Sequence, residues 1–304
     1  MTANATPVLV TGATGRQGGA TARALLAAGT PVRALVRDPH SEPAENIEAL
    51  GAELVKADLS DRASLDPALD GVRAVFSVQM PPMTETSVDF AGELAQAANL
   101  IDAAKAAGVR HFVQSSTSGV GEHTQAPGWA EGRWVAMQGY FDTKQTILET
   151  VRGAGFARWT VIKPAFFMEN LLGLVPNGPR GGLLTVLNPD TELALVARED
   201  IGAAAAHAVN DPDRFHEVEL ELAGDRLTMT QIAQTLSAVW GVPIAAPSMS
   251  LAEALAAGMP MWGAGHEWNN VVRQPARPEF ALALGIPVTT FADWARKHLT
   301  PVVR

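Results

Sequence analysis

The opening of the chain constrains it most. The apolar run Val8-Leu9-Val10 stops at a glycine-spaced turn, T-G-A-T-G-R-Q-G over residues 11–18, and an alanine-rich stretch with helical spacing follows. A strand, a tight turn and a helix in that order form the phosphate-binding element of a doubly wound α/β fold. Gly12, Gly15 and Gly18 keep a three-residue spacing. The first lets the backbone turn sharply, the second lets it approach a pyrophosphate, and the third lets the helix pack close to the strand. Helix amides then face the phosphates. Thr21 to Gly29 has helical apolar spacing and ends on a glycine suited to a C-terminal cap.

With 304 residues the chain exceeds one ordinary domain, which favours one large α/β body with a smaller appended lobe. Hydrophobic residues make up 47% and charged residues 18%. No apolar run approaches the roughly 18 residues that cross a bilayer. Met1 to Pro7 reads as a short polar tail rather than a signal peptide, so a soluble, cytoplasmic protein is expected. The absence of cysteine excludes disulfides and thiolate chemistry, and the seven histidines show no ligand spacing, so no metal site is expected. A net charge of −9 opposes direct nucleic-acid binding.

Strand and helix patterns alternate beyond the turn. Pro31 to Val36 reads as a second strand ending at Arg37-Asp38, where a dinucleotide fold meets the adenosine ribose. Arg37 offers a guanidinium to a 2′-phosphate, which favours NADP(H) over NAD(H), and Arg16 in the turn is a second candidate for that phosphate. A one-residue shift of register would instead let Asp38 accept ribose hydroxyls and favour NAD(H). Asp58, after the strand Glu53 to Ala57, is either an adenine contact or the cap of the next helix. Ala74 to Val78 is a buried strand, and the loop Gln79 to Met83 at its carboxyl end flanks a cofactor in such sheets. Phe90 to Ala107 is a long helix, and the strand His111 to Gln114 ends in Ser115-Ser116-Thr117-Ser118. Gly119 to Gly139, with Trp129 and Trp134, is either a flap or a plain loop over packed tryptophans. Strands are expected at Trp159 to Lys163, Leu183 to Leu187, Glu192 to Val196 and Glu217 to Leu222. Helices are expected from Arg198, at Met229 to Val239, at Leu251 to Gly258 and at Thr290 to His298.

Tyr140 is the only tyrosine, and one of five lysines, Lys144, follows it by one turn of a helix expected to open at Tyr140. Residues four apart share a helix face, and a nearby ammonium stabilises a phenolate, so the phenol can pass a proton near neutral pH. Ser115, Ser116 or Thr117 can donate to the same substrate oxygen. The bland alternative is a packing tyrosine beside a lysine that meets a ribose or solvent.

Together these features resemble the short-chain dehydrogenase/reductase superfamily, and most closely its atypical NmrA-like branch. The resemblance spans nearly the whole chain and rests on G-A-T-G-R-Q-G at 12–18, A-L-V-R-D-P at 34–39, D-L at 58–59, P-A-F-F-M-E-N-L at 164–171, V-A-R-E-D-I-G at 196–202 and T-F-A-D-W at 290–294. It implies that Gly12, Thr14, Gly15, Arg16, Gln17, Gly18, Arg37, Asp58, Leu59, Lys144 and the turn carrying Pro164, Phe166 and Phe167 contact NADP, with the C-terminal lobe covering the nicotinamide end. Many members of the branch carry His-Phe-Asp-x-Lys where this chain has Tyr-Phe-Asp-Thr-Lys at 140–144. Tyr140 thus restores the superfamily's acid.

The expected architecture is a doubly wound parallel Rossmann sheet over residues 1–165 with a smaller C-terminal α/β lobe over 166–304, some segments of which return to the main sheet. The expected activity is NADPH-dependent reduction of a carbonyl, quinone or related conjugated compound, with Tyr140, Lys144, Ser116 and Thr117 as catalytic residues. Trp129, Trp134, Trp262 and Trp268 point to an apolar or aromatic small-molecule substrate. The alternative is an NADP(H)-sensing regulator that acts through a protein partner without turnover. No membrane partner is expected, and a monomer or a homodimer is the expected state.

Overall fold

The structure, a computed structural model, describes residues 6–83 and 88–302. Most of the expected polar tail at 1–7 therefore lies outside the described residues. Strands β1 (Val8–Val10), β2 (Val32–Val36), β3 (Glu53–Lys56), β4 (Ala74–Ser77), β5 (His111–Ser115) and β6 (Arg158–Pro164) pair in parallel, in the order β3-β2-β1-β4-β5-β6. A seventh strand, β9 (Val218–Leu222), lies beside β6. The direction of winding reverses between β1 and β4. In open α/β sheets that reversal opens a ligand crevice at the carboxyl ends of the strands.

The crossovers are α1 (Arg16–Ala27), α2 (Glu42–Glu48), α3 (Leu65–Leu69), α4 (Phe90–Ala106) and α5 (Val135–Gly153), followed later by α6 (Arg198–Asn210). β1 and β4 are buried at every position, as strands covered on both faces must be. α1 ends where the Ala28 amide closes on the Ala24 and Leu25 carbonyls and Gly29 turns left-handed at φ 73°. α6 packs on α1 at Gly202, where a Cβ would fall 2.5 Å from the Ala20 carbonyl oxygen.

The chain divides into two compact units. The first holds the stretch up to Val120, Gly139–Lys163 and Ile201–Leu220; the second holds Gly121–Gln138, Pro164–Asp200 and the chain from Glu221 onward. The core of the first is built around Leu9, Val75, Leu100, Phe112 and Phe156, with the last two rings stacked at 4.8 Å. The second contains a three-stranded sheet in which β7 (Phe166–Phe167) pairs in parallel with β8 (Glu192–Val196), and β8 pairs antiparallel with β10 (Asp225–Thr228). Helices α7 (Met229–Trp240), α8 (Leu251–Ala256), α9 (Pro278–Ala283) and α10 (Phe291–His298) complete it. Its core gathers Phe166, Leu195, Leu236, Phe291 and Trp294. No described helix is long and apolar enough to cross a membrane.

The C-terminal sequence motifs meet inside the second unit. Glu169 pairs with the Arg198 guanidinium, Nε to Oε1 at 3.0 Å, and accepts from Trp294 Nε1 at 3.2 Å. Asp200 accepts from the Thr289 amide and hydroxyl at 2.9 and 2.7 Å. Burial pushes the Asp200 carboxyl up, against the pull of those bonds. M-E-N, V-A-R-E-D and the segment entering and forming T-F-A-D-W are thus tied to one another by an ion pair and part-buried hydrogen bonds.

Two expected elements differ. Leu183–Leu187 is not a strand. The segment is buried, but its backbone is satisfied by Leu174, whose carbonyl accepts the Leu184 amide, and by Asn270, which bonds the Val186 carbonyl and the Asn188 amide. A non-ladder carbonyl and the side chains of Asn270 and Thr185 serve groups that a strand would pair in a ladder. The helix carrying Tyr140 starts five residues earlier than expected, at Val135. Gly139 reads as a break, yet it lies within the helix because the Phe90 ring occupies the space where a Cβ would stand, 2.7 Å from the nearest ring atom.

Candidate active site

The glycine turn closes as its sequence implies. Gly12 is left-handed at φ 59°, and the Gly15 amide donates to the Gly12 carbonyl at 2.8 Å. A Cβ on Gly18 would sit 2.2 Å from the Thr11 carbonyl oxygen and 2.3 Å from that of Gly12, so no other residue lets α1 approach β1 this closely. Gly12, Thr14, Gly15 and Arg16 are exposed. Gly15 caps α1 without a side chain, and no acidic residue occupies the first turn of the helix. Exposed turn backbone and an uncapped, positive helix end suit a pyrophosphate. Beneath the turn, Thr11 Oγ1 donates to the Val78 carbonyl at 3.0 Å and accepts the Val78 amide at 2.8 Å. This side chain joins β1 to the end of β4 at the reversal.

Arg37 and Asp58 come together on one cavity of about 310 Å³, which Lys56, Ala57, Asp61 and Ser64 also line. Arg37 is exposed there, while the carboxylate of Asp38 accepts the His40 amide at 3.0 Å as part of its own turn. Asp58 closes a similar turn by accepting the Ser60 amide at 2.8 Å, and the helix-capping role falls to Asp61, which accepts the Ala63 amide. Leu59 is half-buried against the core of the first unit, and its carbonyl accepts from Asn99 at 2.9 Å. Sequence reasoning missed Lys56, a second cation on the same cavity. Its only signal was its place at the carboxyl end of the edge strand.

At the carboxyl ends of β4 and β5 the expected polar residues form a chain. Gln79 donates to Ser77 Oγ at 2.7 Å and accepts from Gln114 at 3.1 Å, and Ser115 donates to Gln17 Oε1 at 2.6 Å. Gln79 and Ser115 are buried. Much of their hydrogen-bonding capacity is therefore spent inside the protein. Ser116 differs: its amide donates to the Ile162 carbonyl at 2.8 Å, but its hydroxyl is buried with no partner among the described residues. Such a group is costly unless an acceptor arrives. Thr117 next to it is half-buried.

Tyr140 and Lys144 share one face of α5, with Nζ of Lys144 5.8 Å from the centre of the Tyr140 ring. Both are half-buried. Lys144 also forms a close ion pair with Glu93 in the first turn of α4, a residue that sequence reasoning passed over. Glu93 is fully buried, and its other oxygen, Oε2, has no partner among the described residues.

Pro164 ends β6 and begins the stretch assigned to the second unit, in which Phe166 and Phe167 form β7. There the Phe166 ring meets His266 edge-on at 4.9 Å, and His266 meets Trp262 at 5.3 Å. Trp129 and Trp134 both pack edge-on against Trp268, at 5.8 and 5.2 Å. These three indoles are packing groups, whereas Trp262 is half exposed.

The profile of the NmrA-like family matches residues 4–265. The chain is 31% identical to an NAD(P)H azoreductase of Xenophilus azovorans, over 96% of this chain and 97% of that protein. Among solved structures, the NADPH-dependent quinone oxidoreductase QOR2 of Escherichia coli, complexed with NADPH, aligns with a TM-score of 0.73 at 24% identity, over 95% of this chain and 99% of that one. NmrA, a negative transcriptional regulator in complex with NADP, aligns with a TM-score of 0.71 at 20% identity, over 97% and 96%. The two structural likenesses are likenesses of fold. Motifs, topology and profile agree, and the chain belongs to the NmrA-like family.

Proposed function

We propose that this protein is an NAD(P)H-dependent reductase, preferring NADPH, that acts on a quinone, carbonyl or related conjugated small molecule. The observation that carries the reading is the arrangement of the first unit. The exposed glycine turn, Arg37 with Asp58, the Ser116 hydroxyl and the Tyr140–Lys144 pair all belong to segments that follow the carboxyl ends of parallel strands. The near-full-length likeness to an NAD(P)H azoreductase supports the same class of activity.

The residues present suit a dinucleotide. The turn amides and the α1 terminus would hold its pyrophosphate, Arg37 with Lys56 its 2′-phosphate, and Asp58 the adenosine edge. A bound nicotinamide would supply hydride. Ser116 would donate its free hydroxyl to the substrate oxygen, and Tyr140 would give that oxygen a proton as negative charge builds on it. The phenol then recovers its proton from solvent. Lys144 would hold the cofactor ribose and present its positive charge to the Tyr140 ring.

Following NADPH oxidation with menadione, a simple ketone, an enone and an azo dye tests the reading. Consumption of NADPH with at least one acceptor is expected. Tight NADPH binding without turnover on the whole panel would replace it with the cofactor-sensing regulator.

A further inference from the structure

The ion pair at Lys144 changes what the tyrosine–lysine motif can do. Glu93 has no exposed surface, and only 12% of the Lys144 side chain is exposed, so neither charge is well hydrated. A buried pair is weak evidence for stability, because well-packed apolar residues of the same volume often serve as well or better. Its position therefore calls for another explanation. The surroundings fix Glu93 tightly. Asp89 caps α4 by accepting the Gly92 amide at 2.8 Å, and a Cβ on Gly92 would meet the Asp89 carboxylate at 2.4 Å. One residue before Tyr140, Gly139 lets the Phe90 ring lie directly on α5. The first turn of α4 is thus held against the turn of α5 that carries Tyr140, and the carboxylate reaches Lys144 from there.

We infer that Glu93 is a positioning residue for the reduction: it fixes the Lys144 ammonium beside Tyr140 through Oε1, while Oε2 stays buried with no partner among the described residues. The inference rests on the roles proposed for Tyr140 and Lys144. Without Glu93 the four-carbon lysine stem can adopt other rotamers, and its ammonium loses the anion that makes burial tolerable. Glu93 would act through the lysine rather than on the substrate or the hydride donor.

The test is a double-mutant cycle on the full-length protein, read as menadione-dependent NADPH oxidation, with circular dichroism confirming the fold at the assay temperature. Glu93→Gln is expected to lower kcat about ten-fold, with the KM for menadione changed less than two-fold. Glu93→Asp, which keeps the charge, should recover at least a third of wild-type kcat. Glu93→Gln/Lys144→Met should turn over no more slowly than Lys144→Met alone, because Glu93 acts only through the lysine. A wild-type kcat in Glu93→Gln, or a double variant slower than Lys144→Met by the full Glu93→Gln factor, overturns the inference while Lys144 keeps its role. A wild-type kcat in Lys144→Met instead removes the parent reading, and the inference falls with it. Should Glu93→Gln fail to fold, the double variant is compared with Lys144→Met at a temperature where circular dichroism shows both folded, and a lower kcat in the double variant overturns the inference.

Discussion

Gly15 and Gly18 stand three residues apart in one turn, and alanine should affect them in opposite ways. At Gly18 the new Cβ would lie 2.2 Å from one backbone carbonyl oxygen and 2.3 Å from another, neither of which can move without shifting β1 or α1. Relief requires about 1 Å of displacement between two packed elements, and overpacking of that kind costs about 1–3 kcal/mol, with larger values when backbone must move. At Gly15 the nearest atom would be the Gly12 carbonyl oxygen at 3.2 Å, and φ is −101°, which any residue adopts. A shift of a few tenths of an ångström suffices there. The loss of unfolded-chain freedom returns about 0.4–1 kcal/mol, leaving Gly15→Ala close to neutral in stability. The Gly15 backbone is nevertheless the surface that a pyrophosphate must approach. Thermal unfolding and NADPH titration by tryptophan fluorescence separate the two effects. Gly18→Ala should lower the melting temperature by several degrees, whereas Gly15→Ala should melt like the wild type and lose at least ten-fold in NADPH affinity. Unchanged affinity in Gly15→Ala would mean that the cofactor does not lie on this turn, and a wild-type melting temperature in Gly18→Ala would refute the packing argument.

Other perturbations address the remaining site residues and the pH response. Arg37→Ala should reduce the preference for NADPH over NADH about ten-fold, near the lower end for a charge-assisted hydrogen bond because Arg37 is exposed; equal affinities of the unmodified protein for the two cofactors would return Asp38 to consideration. Tyr140→Phe should leave NADPH affinity intact and lower kcat by about 10²–10⁴-fold in stopped assays of the active acceptor, and normal turnover would assign the proton to water or another group. Burial, reinforced by the charges of Arg73, His216 and Arg158, holds His111 down to about 4 from 6.5, so the unfolded chain takes up the proton first. Its contribution is therefore complete above about pH 6.5 and is lost as pH falls toward 4, with about 2 kcal/mol lost between pH 7 and pH 5. Urea unfolding of His111→Gln at those two pH values should show that much less acid destabilisation, and an identical loss in both proteins would discard the assignment.

The parts of the fold that could be read in the sequence are those governed by short-range chemistry. The glycine turn, the left-handed stop at Gly29 and the Thr228–Gln231 capping box of α7 each depend on residues within a few positions of one another. Leu183–Leu187 misled because an apolar run reports burial and not a ladder, and the groups that satisfy it, Leu174 and Asn270, are distant in sequence. The early start of α5 was hidden for a related reason. Gly139 costs helix stability in isolation, and only the Phe90 ring, 49 positions earlier by residue number, explains why it is there.

The candidate site divides along the same line, with a consequence for its chemistry. A tyrosine and a lysine four residues apart on a helix announce their shared face, but not the charge environment of that face. A lone ammonium would act on the phenol as a monopole. With Glu93 against it, the field at Tyr140 is closer to that of an ion pair, which falls off faster with distance and depends on which end points at the ring. The orientation of the pair then matters as much as its presence, and orientation is what the packing of α4 on α5 at Phe90 and Gly139 controls. A small displacement at that contact would change how strongly the lysine supports proton transfer. Gly139→Ala, which must push the Phe90 ring away from 2.7 Å, should therefore lower kcat more than it lowers NADPH affinity, and equal losses in both would show that the contact merely holds the fold together.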